Sequence, residues 1–172
     1  MMFEVETIVA SLCKTRGFRR RNKTANEKRA DGRDLLIDCY RHLNNEPNGQ
    51  HYLDVKVNFY DLLPGLNKSK PLKPHQYMAF CRIEVGLVGT SEISLRDLLN
   101  DETTIDVNLR KQLISSVFVD SVDPVLQIFG GFETLRDHVH KQLDPKITFF
   151  GPGVSFEGKE PKTDWTEFLV PL

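Results

Sequence analysis

An α+β fold, with a small sheet packed against several helices, is the architecture this sequence predicts, and three observations predict it. Apolar residues recur every three to four positions near the start of the chain. They alternate one by one over residues 51–59 and return to helical spacing after residue 91. Helices and strands therefore group as ααβ, loop, β, αααα and a short β or two, rather than alternating as βαβ units. The length, 172 residues, suits one domain spanning 1–172. A chain of that size buries about 70% of its unfolded surface and needs neither disulfide nor metal to hold a core.

Val5, Ile8, Val9 and Leu12 form one face of an amphipathic helix that stops near Gly17. Residues 16–33 (RGFRRRNKTANEKRADGR) have almost nothing to bury, and 14–33 reads as a basic loop or arm. Asp34 reads as the N-cap of a second helix carrying Leu35, Leu36, Cys39, Tyr40 and Leu43, closed by Asn44-Asn45 and the turn cluster at 46–49. Leu53, Val55, Val57 and Phe59 then alternate with Tyr52, Asp54, Lys56 and Asn58, the pattern of a strand with one wet face. Prolines and a glycine make 64–74 a loop, and 77–88 reads as a second, more buried strand. Ser91 reads as the cap of a short helix with Leu95, Leu98 and Leu99. Residues 105–118 and 124–129 read as two more helices, the second opened by Pro124. Gly130-Gly131 is a hinge, and Phe132, Leu135, Val139 and Leu143 make a last helix ending before Pro145. One or two short strands around a Gly-Pro turn are expected in the tail.

Composition excludes whole classes of protein. With 40% apolar and 27% charged residues, the chain is neither disordered nor a membrane protein by composition. No stretch approaches the roughly 20 apolar residues of a membrane span. Glu4 and Glu6 stand where a secretion signal carries positive charge, so a cytoplasmic protein is expected. Cys13, Cys39 and Cys81 are odd in number, far apart and set among apolar neighbours, the pattern of reduced core thiols. His42, His51, His75, His138 and His140 show no zinc spacing and read as surface residues, so no metal or other cofactor is expected. No phosphate-binding glycine loop, dinucleotide fingerprint or nucleophile elbow is present in the sequence.

Charge is the least uniform property. From Lys14 to Asp34 nine lysines and arginines face three acids, a net of +6, while the rest of the chain has 14 bases and 21 acids, a net of −7. Arg16, Arg19, Arg20, Arg21, Lys23, Lys28 and Arg29 are the candidate contacts to a polyanion, because arginine forks hold phosphate oxygens in pairs and each neutralised phosphate releases counterions. Phe18 would stack on a base. Two other readings stay open. The segment docks on an acidic protein surface, including another copy of the chain, since residues 92–144 carry ten acids against five bases; or it is a solvated loop. The expected function is a non-enzymatic binding protein that contacts nucleic acid or docks in a larger assembly, a profile of size and basic arm shared with phage and mobile-element accessory proteins. No membrane partner is expected.

A second class of function rests on three residues. Asp34, followed by Asp54-Val55-Lys56 on a strand, resembles the D…(D/E)xK arrangement of the PD-(D/E)xK nuclease superfamily, and the opening helix with Glu4 and Glu6 resembles that family's first helix. The resemblance implies a Mg²⁺-dependent nuclease in which Asp34 and Asp54 hold the metal and Lys56 orients the attacking water. It covers about a third of the chain.

Overall fold

In the computed structural model, residues 4–30, 32–41, 49–59, 77–84, 86–140 and 148–149 are described. Helix α1 (Glu4–Thr15) buries Val5, Ile8, Val9 and Cys13, the stripe that the spacing predicts. It ends in a Schellman motif: Phe18 N–H donates to Cys13 O and Gly17 N–H to Lys14 O. Gly17 sits at φ 79°, a conformation that a Cβ would strain.

Among the described residues six strands follow in an antiparallel meander, each beside its sequence neighbour: β1 (Arg19–Arg20), β2 (Ala25–Ala30), β3 (Arg33–Arg41), β4 (His51–Phe59), β5 (Ala79–Arg82) and β6 (Thr148–Phe149). Residues 16–33 are thus not a loop. They hold the β1–β2 hairpin and the turn into β3, where Ala30 pairs with Arg33 and Gly32 takes φ 74°.

Residues 34–41 are a strand, not a helix, and Asp34 caps nothing. The run Leu35-Leu36-Ile37 fits helical and extended spacing equally; what decides is that β3 lies inside the sheet and is buried on both faces. Beyond Arg41 that expected helix leaves the described residues. The second expected strand is also shorter than 77–88, since pairing stops at Arg82.

One face of the sheet carries the main core. Leu35, Ile37, Cys39, Leu53, Val55, Val57, Phe59, Ala79 and Cys81 meet α1 and the helices that follow β5. Those helices are α2 (Leu95–Leu98), α3 (Val107–Val117), a π-helical turn (Phe118–Val122), α4 (Asp123–Ile128) and α5 (Phe132–His140). Ser94, rather than Ser91, caps α2, and Asp106 caps α3 with Oδ1 accepting from Asn108 and Leu109 N–H. The two helices expected at 105–118 and 124–129 are joined through the π turn. Pro124 has no N–H to offer the preceding turn, and the chain widens there, with Asp123 N–H donating to Phe118 O. Gly130-Gly131 separates α4 from α5 as expected. Arg110, 2% exposed, ties α3 to the carbonyls of Leu98, Asn100 and Thr103 and to Glu4 of α1.

The other face is polar, but it is not wet. Glu27, Asp34, Asp38, Asp54, Lys56 and Asn58 are all buried, beside a small apolar cluster of Ala25, Leu36 and Tyr77. The expected solvent exposure of Asp54 and Lys56 is therefore wrong. The same holds for His51, with a side chain 0% exposed, and for His138, both buried rather than on the surface. His42, His75 and most of the tail lie outside the described residues. All three cysteines are free and buried. Among the described residues, no single helix is long and apolar enough to cross a membrane.

Candidate nucleic-acid interface

The basic segment is anchored at its base before it reaches the surface. Arg16 Nε and Nη2 donate to Asp123 Oδ1 and Oδ2 at 2.6 and 2.8 Å, and its guanidinium lies 4.9 Å from the centre of the Phe118 ring. The Asp123 hydrogen bond raises the Arg16 pKa still further, so this charge is held in the fold. Lys28 Nζ donates to Arg16 O and lies 5.8 Å from the centre of the Phe18 ring. Phe18 is 5% exposed and belongs to the core, so it does not stack on a base.

Beyond this anchor the hairpin is built from its own side chains. Asn22 Oδ1 accepts from the N–H groups of Thr24 and Ala25 at 2.9 and 2.8 Å, an Asx turn of the kind asparagine favours. Arg20 folds over the turn and donates to the carbonyls of Asn22 and Lys23. Arg19 Nη2 stands 2.7 Å from Glu27 Oε1, with Arg21 Nε 3.7 Å from the other oxygen. Arg29 Nε stands 3.0 Å from Asp34.

The result is layered. Glu27 and Asp34 are 6% and 3% exposed and lie beneath; Lys14, Arg19, Arg20, Lys23 and Arg29 are exposed above them. The third acid of the segment, Asp31, lies outside the described residues. Of the seven candidate cations, Arg19, Arg20, Lys23 and Arg29 thus face solvent, while Arg16, Arg21 and Lys28 are drawn inward. Lys14, on the last turn of α1, joins the exposed set, and its place in the basic run was the signal for it.

The nuclease residues are arranged differently. Period 2 sets Asp54 and Lys56 on one face, as expected, but Asp34 pairs with Asn58 while Asp38 stands opposite Asp54. Asp34 is thereby four strand residues, about 13 Å, from the Asp54 rung. The carboxylate that does meet Lys56 is Asp38, at 3.0 Å, with Asp54 Oδ2 at 3.8 Å. Arg82 closes the far side, donating from Nε to Asp54 at 3.0 Å and from Nη2 to the Tyr40 hydroxyl at 2.6 Å. Two acids and two bases make a neutral chain, buried except at Arg82, whose side chain is 34% exposed. Burial disfavours the Arg82 charge, yet the Asp54 hydrogen bond and charge outweigh it and raise the pKa. Burial also pushes the Tyr40 hydroxyl up to about 12. Among the described residues, no three His, Cys, Asp or Glu are grouped to hold a metal ion.

A further buried cluster went unseen in the sequence. His51 lies 3.6 Å from Glu6 and 3.6 Å from Asp101, with Nδ1 3.2 Å from Leu99 O, while Asp101 Oδ1 accepts from Val5 N–H at the start of α1. It joins α1, β4 and the α2–α3 loop, and residues 45 and more apart carry no local signal of meeting. No family model matches the chain, and neither a curated protein nor a solved structure matches it.

Proposed function

We propose that this chain is a non-enzymatic nucleic-acid-binding protein that grips phosphates with the β1–β2 hairpin and the end of α1. One observation carries the reading: the two described acids of the segment, Glu27 and Asp34, are buried beneath its cations, so the outer surface of the hairpin is positive although its ion pairs are made. An anchored, preshaped hairpin also loses less entropy on binding than a loose arm. The contacts are Lys14, Arg19, Arg20 and Lys23; Arg16, Arg21 and Lys28 hold the hairpin in place.

The test is salt dependence. With about three to four phosphates neutralised, the log–log slope of affinity against salt for duplex DNA is expected near −3. The combined change Arg19→Ala, Arg20→Ala and Lys23→Ala should reduce its magnitude by about 2–3. Absence of salt-sensitive binding to any DNA or RNA at about 0.05 M salt overturns the reading. If the triple change instead alters the sedimentation of the protein or of a complex, the hairpin docks on protein.

A further inference from the structure

The register puts more than the hairpin at one end of the sheet. Ala25, where β2 begins, stands opposite Asp38; Asp38 stands opposite Asp54, and Asp54 opposite Arg82. One step beyond, Thr24 O accepts from Cys39 N–H, and one step further Tyr40 pairs with Tyr52. The hairpin turn, the Tyr40–Tyr52 pair and Arg82 thus share one end, and two strand spacings, about 10 Å, separate the turn from Tyr52.

A cavity of about 440 Å³ opens at that end, between the start of β4, the end of β5 and α2. Its volume falls in the range of small-ligand sites. Leu53, Ile83, Leu95 and Leu99 give it apolar walls, and Gln50 and Glu84 add polar groups. Beside it the Arg82 guanidinium lies 4.6 Å from the centre of the Tyr52 ring. Tyr52 in turn lies 5.9 Å from Tyr40, with the rings tilted by 37°. Asp54 and the Tyr40 hydroxyl fix the Arg82 plane.

We infer that the bound nucleic acid is single-stranded, with one unstacked base seated in this cavity against Tyr52 and Arg82 while the flanking phosphates lie on the hairpin. The inference rests on the reading proposed above. An unstacked base has apolar faces, a polar edge and a charged backbone, and the cavity with its neighbouring cations meets all three. A duplex keeps its bases stacked and leaves the cavity empty. A free nucleotide shares the base chemistry, but it gives the hairpin, about 10 Å away, no phosphates to hold.

Fluorescence anisotropy on the whole chain separates these cases. The probes are an oligo-dT strand of about 12 nucleotides, within the usual footprint of a single-strand site, a duplex of the same length, and thymidine monophosphate. The strand should bind on the order of tenfold more tightly than the duplex, as stacking of one base supplies. Tyr52→Ala and Gly86→Leu should each weaken the strand by about that factor and leave the duplex nearly unchanged. Gly86 lines the cavity, and a Cβ there meets no atom within 4 Å, so the position has room for a side chain; an unchanged melting temperature verifies that leucine is accommodated. Equal affinity for strand and duplex, with no effect of either variant, overturns the base-binding inference and leaves the hairpin reading standing. Thymidine monophosphate binding as tightly as the strand also overturns it, in favour of a nucleotide site. No binding of any probe at low salt removes both.

Discussion

Two regions of this molecule are rich in charge, and they use it in opposite ways. Across β3, β4 and β5, Asp38, Lys56, Asp54 and Arg82 form a closed chain with equal numbers of each sign, and the first three are 4%, 8% and 2% exposed. On the β1–β2 hairpin the one acid, Glu27, is just as buried, yet the cations outnumber it, and Arg19, Arg20, Lys23 and Arg29 are exposed. Exposure and charge balance separate the two. A neutral set whose Asp38, Lys56 and Asp54 are desolvated fixes register and position, because removing a buried member leaves its partner uncompensated. An open excess on the surface has field left over for a partner.

The sharpest way to break this comparison is to open the closed set. Lys56→Ala leaves Asp38 and Asp54 facing each other without their shared cation, and about 3–5 kcal/mol of stability should be lost in urea denaturation. A loss near zero would mean that the face behaves as solvated surface. Alkaline pH should also destabilise the fold. Burial holds Cys13 at about 12, Cys81 at about 11 and Tyr40 at about 12, and Cys39 well above its ordinary value. All four lose a proton less readily folded than unfolded. Their contribution is therefore complete below about pH 9, the ordinary thiol value, and is lost as pH rises toward 12. The denaturation midpoint should be lower at pH 10.5 than at pH 8, and the native thiols should resist alkylation at pH 8; rapid labelling of the folded protein would contradict their burial.

Smaller effects mark the join between the two regions. Arg16→Ala removes the bidentate contact to Asp123 and should cost about 1–2 kcal/mol, discounted for partial exposure, with little change in the salt slope of nucleic-acid binding. A slope that fell as much as in the hairpin triple variant would place Arg16 among the phosphate contacts instead. Smallest of all, Arg20→Ala or Lys23→Ala should each change stability by no more than about 0.5 kcal/mol. Those outcomes would separate the open region from the closed one, with Arg20 and Lys23 acting on binding and leaving folding almost untouched.

What was legible in the sequence is whatever depends on near neighbours. The spacing of Val5, Ile8, Val9 and Leu12 sets α1, the alternation over 51–59 sets β4, and the nine cations between Lys14 and Asp34 set the sign of the hairpin. An α+β fold follows from these periods, because a helix and a strand place side chains at different intervals whatever surrounds them. Tertiary structure alone decided that residues 34–41 join a sheet, since Leu35-Leu36-Ile37 suits either period until both faces are covered. It also decided that Asp54 meets Asp38 rather than Asp34, that Lys56 is buried between them, and that His51 lies between Glu6 and Asp101. Whether a charge is closed or open depends on register and burial, which are set by residues tens of positions away, and no local pattern records them.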